Sequence, residues 1–222
     1  MREHEETISS QEKLSKPPKL LLIPGIHVEQ VLGLGLLDYK DILLMSAYWQ
    51  KAERFTKPAL SFEGQVRLYL EAVTSLSAIS LSNDDLKFHS FLERVRKETE
   101  TEFLGGQWSV ALPILERDGP TIVEFAEDRE AYKQTRKMVK QSLQLDADQM
   151  SSFWERHGEE FQQLQTKRNL SFVNSINHTL QPNEIGVLIL GAGHPLEDKI
   201  NINIKIDIFE DFTVYPFLKV TN

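Results

Sequence analysis

Gly186-Val187-Leu188-Ile189-Leu190-Gly191-Ala192-Gly193-His194 is an apolar run that gives way to small residues and stops at a histidine. Such a run reads as a strand buried on both faces, the pattern of a parallel sheet covered by helices. The Gly-Ala-Gly behind it lets the backbone turn tightly or approach another group closely, which makes Gly191 and Gly193 candidate substrate contacts. His194 then stands at the carboxyl end of the strand, the edge outside which open α/β sheets bind their ligands.

Working outward, Lys19-Leu20-Leu21-Leu22-Ile23 is a second apolar strand, ended by Pro24-Gly25, with His27 just past it. Thr121-Ile122-Val123-Glu124-Phe125 follows the turn signal Asp118-Gly119-Pro120 and makes a third, with Glu124, Glu127 and Asp128 crowded at its end. Ile202, Ile204, Ile206 and Ile208 alternate with polar residues, as in a half-buried strand near a sheet edge. Between the strands, Asp41 to Trp49 reads as a short helix, after a glycine-containing loop from Val31 to Leu37. Helical spacing of Val66, Leu70, Val73 and Leu76 predicts a helix from Phe62 to Ile79, and Leu86, Phe91 and Val95 predict another from Asp84 to Phe103. Ser82-Asn83-Asp84 supplies cap residues between these two, Gly105-Gly106 closes the second, and a shorter helix follows from Trp108 to Glu116. Glu127 to Leu143 and about Asp148 to Leu180 complete the set, the latter stopped by Pro182.

The fold expected is a single α/β domain over residues 19–222. Its mainly parallel sheet is built from segments near 19–25, 121–125, 186–191 and 202–208 and is flanked by helices. A helical insert, roughly residues 60–117, separates the first strand from the strand near 121–125. Residues 1–18, polar and ending in Pro17-Pro18, read as a disordered tail. With 222 residues and ordinary globular composition, one domain has ample core. The net charge of −8 and the dispersed Lys and Arg argue against a nucleic-acid partner. No stretch reads as a secretion signal or membrane span, since Asp38, Lys40 and Asp41 interrupt the run from Val31 to Trp49. The absence of cysteine removes disulfides and thiolate ligands and fits a reducing, cytoplasmic compartment.

Parallel strands place His27, Glu124, Glu127, Asp128 and His194 along one rim although they are distant in sequence. Two imidazoles and a carboxylate, His27, His194 and Glu124, could hold a divalent cation such as zinc or manganese. Alternatively, either histidine could act as general base beside a carboxylate, Glu124 or Glu127. Arg168 lies four residues from both Leu164 and Phe172, in the middle of an apolar helical face, and a buried guanidinium needs an anionic partner, either a structural acid or a substrate group. Each residue also has a structural reading: a histidine capping a strand end, Glu127 and Asp128 favouring a helix start, Asn169 bonding within its helix. His4, His89, His157 and His178 lie in helical or tail segments and read as solvated or structural.

The set Ile23-Pro24-Gly25-Ile26-His27, Glu124 with Glu127-Asp128, Arg168-Asn169, Ile176-Asn177-His178-Thr179-Leu180 and Gly191-Ala192-Gly193-His194 resembles the TraB/TIKI superfamily, most nearly its small cytoplasmic bacterial and archaeal members. The resemblance is carried mainly by the final third, and Pro24 stands where the first motif of that family begins with Gly. It implies a pocket lined by paired Gly/His motifs, an acid and an Arg/Asn helix, with Arg168 and Asn169 touching substrate. Relatives in that superfamily include proposed metal-dependent proteases, esterases using a histidine base and a haem-binding branch. The expectation is therefore a hydrolase of a small-molecule or peptide substrate, or a non-catalytic protein that captures an anion or haem at the same rim.

Overall fold

The computed structural model describes residues 15–25, 39–70, 79–81, 106–124, 126–191, 194 and 196–211. Its elements are β1 (Lys19–Gly25), α1 (Tyr39–Phe55), α2 (Lys57–Leu60), β2 (Val66–Leu70), β3 (Ile79–Leu81), α3 (Gly106–Leu115), β4 (Thr121–Glu124), α4 (Arg129–Ser142), α5 (Ala147–Thr179), β5 (Ile185–Gly191) and β6 (Lys205–Ile208). The strands form a six-stranded sheet in the order β3-β4-β2-β5-β1-β6. All neighbours pair parallel except β3, which runs antiparallel along the outer edge of β4. The protein is thus α/β with a mainly parallel sheet, and helices α1, α2 and α3 are inserted between β1 and β4.

β5 is buried along its whole length, between β2 on one side and β1 on the other. One face of the sheet presents Leu21, Ile23, Val66, Leu68, Val123, Val187 and Ile189 to α1, α2 and α3. The other presents Leu20, Leu22, Tyr69, Leu188 and Leu190 to Phe172, Val173, Ile176 and Leu180, from the second half of α5 and its C-cap. Gly186 permits this contact, because a Cβ there would stand 2.9 Å from Leu20 Cδ1 and 3.2 Å from Leu180 Cδ2.

β1 runs through Pro24 to Gly25, over the 19–25 span expected. Leu22 O accepts from the Phe209 amide on the β6 side, so Pro24, two residues on, faces the same way, past the last β6 pair at Ile208. Its missing N–H therefore costs no ladder bond, and its carbonyl instead accepts from Tyr48 Oη of α1.

Three expectations are corrected. Val66–Leu70, expected within a helix, is the strand β2, with Val66, Leu68 and Leu70 on one face and Arg67 and Tyr69 on the other. A separation of four between apolar residues fits both a helix and a strand, and burial on both sides of the sheet settled it as a strand. Ile79, placed at the end of the same helix, begins β3. The last strand starts at Lys205, not Ile202, which is 96 % exposed in the turn before it. β6 does form a sheet edge.

Lys16, Asn183, Pro18 and Lys205 are joined by backbone and side-chain hydrogen bonds, so the described chain is already tied to the domain before β1. The loop from Val31 to Leu37, the helix from Asp84 to Phe103, its Ser82-Asn83-Asp84 and Gly105 boundaries, and residues 1–14 lie outside the described residues.

α4 and α5 pack against each other and are joined by residues 143–146. Asp128 caps α4, accepting from the Ala131 amide at 2.8 Å. Asp146 and Gln149 form a capping box at the start of α5. Over its 33 residues α5 buries side chains only from Arg168 onward, while Phe153, Phe161 and Leu164 are half-buried. Among the described residues, no helix is long and apolar enough to cross a membrane.

Candidate functional site

β1 and β5 finish level, Gly25 paired with Gly191, and β4 ends at Glu124 on the same edge of the parallel set. α5 meets the segments that follow β4 and β5 where its buried stretch begins. His194 is buried, with its backbone amide donating to Gly191 O at 3.2 Å. Its Nδ1 is hydrogen-bonded to Oδ1 of Asn169, itself buried on α5.

The neighbouring residue on α5 serves the loop after β4. Arg168 Nε donates to Glu127 Oε1 at 2.5 Å, and the Glu127 side chain is fully shielded from solvent. The guanidinium also donates through Nη1 to Gln165 Oε1 at 2.6 Å and Thr135 Oγ1 at 3.4 Å. It lies 5.6 Å from the centre of the Tyr132 ring, a cation–π distance. The anionic partner that the apolar face demanded is therefore Glu127. Three residues further along α5, Ser171 Oγ donates to Ala126 O at 2.7 Å, a second tie to the same loop.

Glu124 belongs to a different cluster. Its Oε1 accepts from Arg67 Nη1, while Arg67 also grips Glu184 through Nε at 2.6 Å and Nη2 at 3.2 Å. Burial works against the Arg67 charge, but its hydrogen bonds and attraction to Glu184 and Glu124 outweigh this and raise its pKa. Tyr69 Oη shares a 2.8 Å hydrogen bond with Thr179 Oγ1 on the same face, and burial raises its pKa. Asp128 is turned to the start of α4, and the Ala131 amide, with Lys167 as a further attraction at 3.2 Å, lowers its pKa.

The structure thus brings together Glu127, Arg168, Asn169, Gly191 and His194, and directs Glu124 to Arg67. His27 and Gly193 lie outside the described residues. Among the described residues no three His, Asp or Glu side chains come close enough to hold a metal ion. His157 approaches Glu160 on its own helix and His178 bonds back to Asn174 O, in keeping with structural or solvated roles, whereas His4 and His89 are not described. Reading the sequence missed Arg67, whose charge in an apolar alternation was the available signal, and Ser171, which carries none. Comparison with protein-family models, curated proteins and solved structures finds no match for the chain.

Proposed function

We propose that the protein is a TraB/TIKI-like cytoplasmic hydrolase of a small-molecule or peptide substrate, in which His194 is the general base. The observation that supports this most is the buried His194 at the carboxyl edge of the sheet, held through both its backbone and its ring. A base contributes most when it is fixed at hydrogen-bond reach of the group it deprotonates. In hydrolysis the imidazole takes a proton from water as the water oxygen bonds to the substrate's carbonyl carbon. It returns that proton to the leaving oxygen or nitrogen as the old bond breaks. In this reading Glu127 neutralises Arg168, and the pair forms part of the wall of the site.

The zinc or manganese reading needs His27 beside His194 and a third ligand. Glu124, the acid named for that role, is occupied by Arg67, so the described donors do not fit such a centre. The test combines elemental analysis of the purified protein with an ester, peptide and phosphoester hydrolysis screen, on wild type and His194→Ala. Turnover without stoichiometric metal, lost in His194→Ala, is the expected result. One equivalent of metal that disappears in the His27→Ala, His194→Ala double variant would replace the base by a metal centre. Neither metal nor turnover would favour the non-catalytic binding protein.

A further inference from the structure

We infer that Asn169 is the positioning residue of this site: its side-chain oxygen holds His194 in the Nδ1–H tautomer, which makes Nε2 the nitrogen that takes up a proton. An amide oxygen only accepts, so the His194 nitrogen facing Asn169 Oδ1 is a donor. A neutral imidazole carries a single N–H, so with Nδ1 protonated the lone pair is on Nε2.

The placement of Asn169 supports this assignment. It shares the sheet-facing side of α5 with Phe172, Val173 and Ile176, all buried, where an apolar residue would satisfy packing and helix propensity better. A buried amide in that row is kept in place by a polar partner, and His194 is that partner. α5 is also fastened on both sides of it, by Arg168 to Glu127 and by Ser171 to Ala126, both on the loop after β4. Those two ties fix the rotation and height of the helix at residue 169, so its oxygen is aimed by the scaffold.

The tautomer does not depend on the hydrolase reading, but the use of Nε2 on a substrate rests on it. Long-range proton–nitrogen correlation spectra of the full, uniformly labelled chain read the tautomer directly, with His194 assigned from its loss in His194→Ala. At about pH 9, where ordinary imidazoles are neutral, wild type is expected to carry the proton on Nδ1. Asn169→Asp, which keeps an acceptor, is expected to retain that form, and Asn169→Leu to release the ring to both tautomers. If the protein turns over a substrate, Asn169→Leu should lower kcat by about 10²-fold or more with KM little changed. A wild-type ring protonated on Nε2, or a tautomer unchanged in Asn169→Leu, would overturn the inference. The wild-type spectrum is decisive on its own should Asn169→Leu fail to fold. An Nδ1–H ring in a protein that hydrolyses nothing would instead sink the hydrolase reading and leave the tautomer standing.

Discussion

Arg67 and Arg168 are both shielded guanidiniums on the α5 side of the sheet, yet they are neutralised differently. Arg67 is shared by two carboxylates, Glu124 at the end of β4 and Glu184 just before β5, so it straps β2 to both neighbouring strands. Among the described residues Arg168 faces one carboxylate, Glu127, together with Gln165, Thr135 and the face of Tyr132. The first cluster is a fastening across the sheet. The second joins a helix to a loop and stands one residue away from the contact that holds His194. What separates a structural charge from one beside a site is therefore its position along the strands rather than its burial.

The largest expected effect is on the strap. Arg67→Leu leaves both Glu124 and Glu184 shielded without a cation and should cost about 5 kcal/mol, the upper end for breaking a buried pair. Urea unfolding measures it, and a cost below about 1 kcal/mol would show that the two acids relax into solvent. Arg168→Leu leaves Glu127 without this cation and should cost about 3 kcal/mol. Replacing Glu127 as well, in Arg168→Leu with Glu127→Leu, should recover most of that loss, because both charges of the pair are then removed. A double variant less stable than Arg168→Leu alone would mean that Glu127 serves another partner more than it serves Arg168.

A smaller effect is expected at the mouth of the same loop. Asp128→Ala removes the cap of α4 and should cost about 1 kcal/mol. The folded pKa of Asp128 is lowered, by the Ala131 amide first, so its contribution is fully present above the ordinary Asp value of about 3.9. It fades as pH falls through the lower folded value. The stability gap between wild type and Asp128→Ala should therefore narrow only in that acid range, whereas a gap that is flat down to the acid transition would assign the effect to helix propensity.

Much of the fold was legible because β1, β4 and β5 are apolar runs too short for helices and bounded by Gly or Pro. β2 was not, since Val66 and Leu70 are spaced to suit either period and the charge of Arg67 lies between them. The demand of Arg168 for an acid followed from its place on an apolar face, but which acid did not. Strand alternation decides it: Glu124 lies opposite Tyr69 in register and on the same face as Arg67, while Glu127, beyond the strand, is free to meet α5. The Asn169–His194 contact joins residues 25 apart through a helix, a turn and a strand, and no local pattern encodes it.

The central claim is that adjacent residues of α5 divide the work, Arg168 securing the fold and Asn169 serving His194. Turnover and unfolding free energy of Arg168→Leu with Glu127→Leu and of His194→Ala, on a substrate from the hydrolysis screen, test it most directly. His194→Ala should abolish turnover at a stability cost of no more than about 1–3 kcal/mol, the penalty of leaving the Asn169 amide unpaired. The apolar pair variant should keep measurable turnover. Wild-type turnover in His194→Ala would contradict the account.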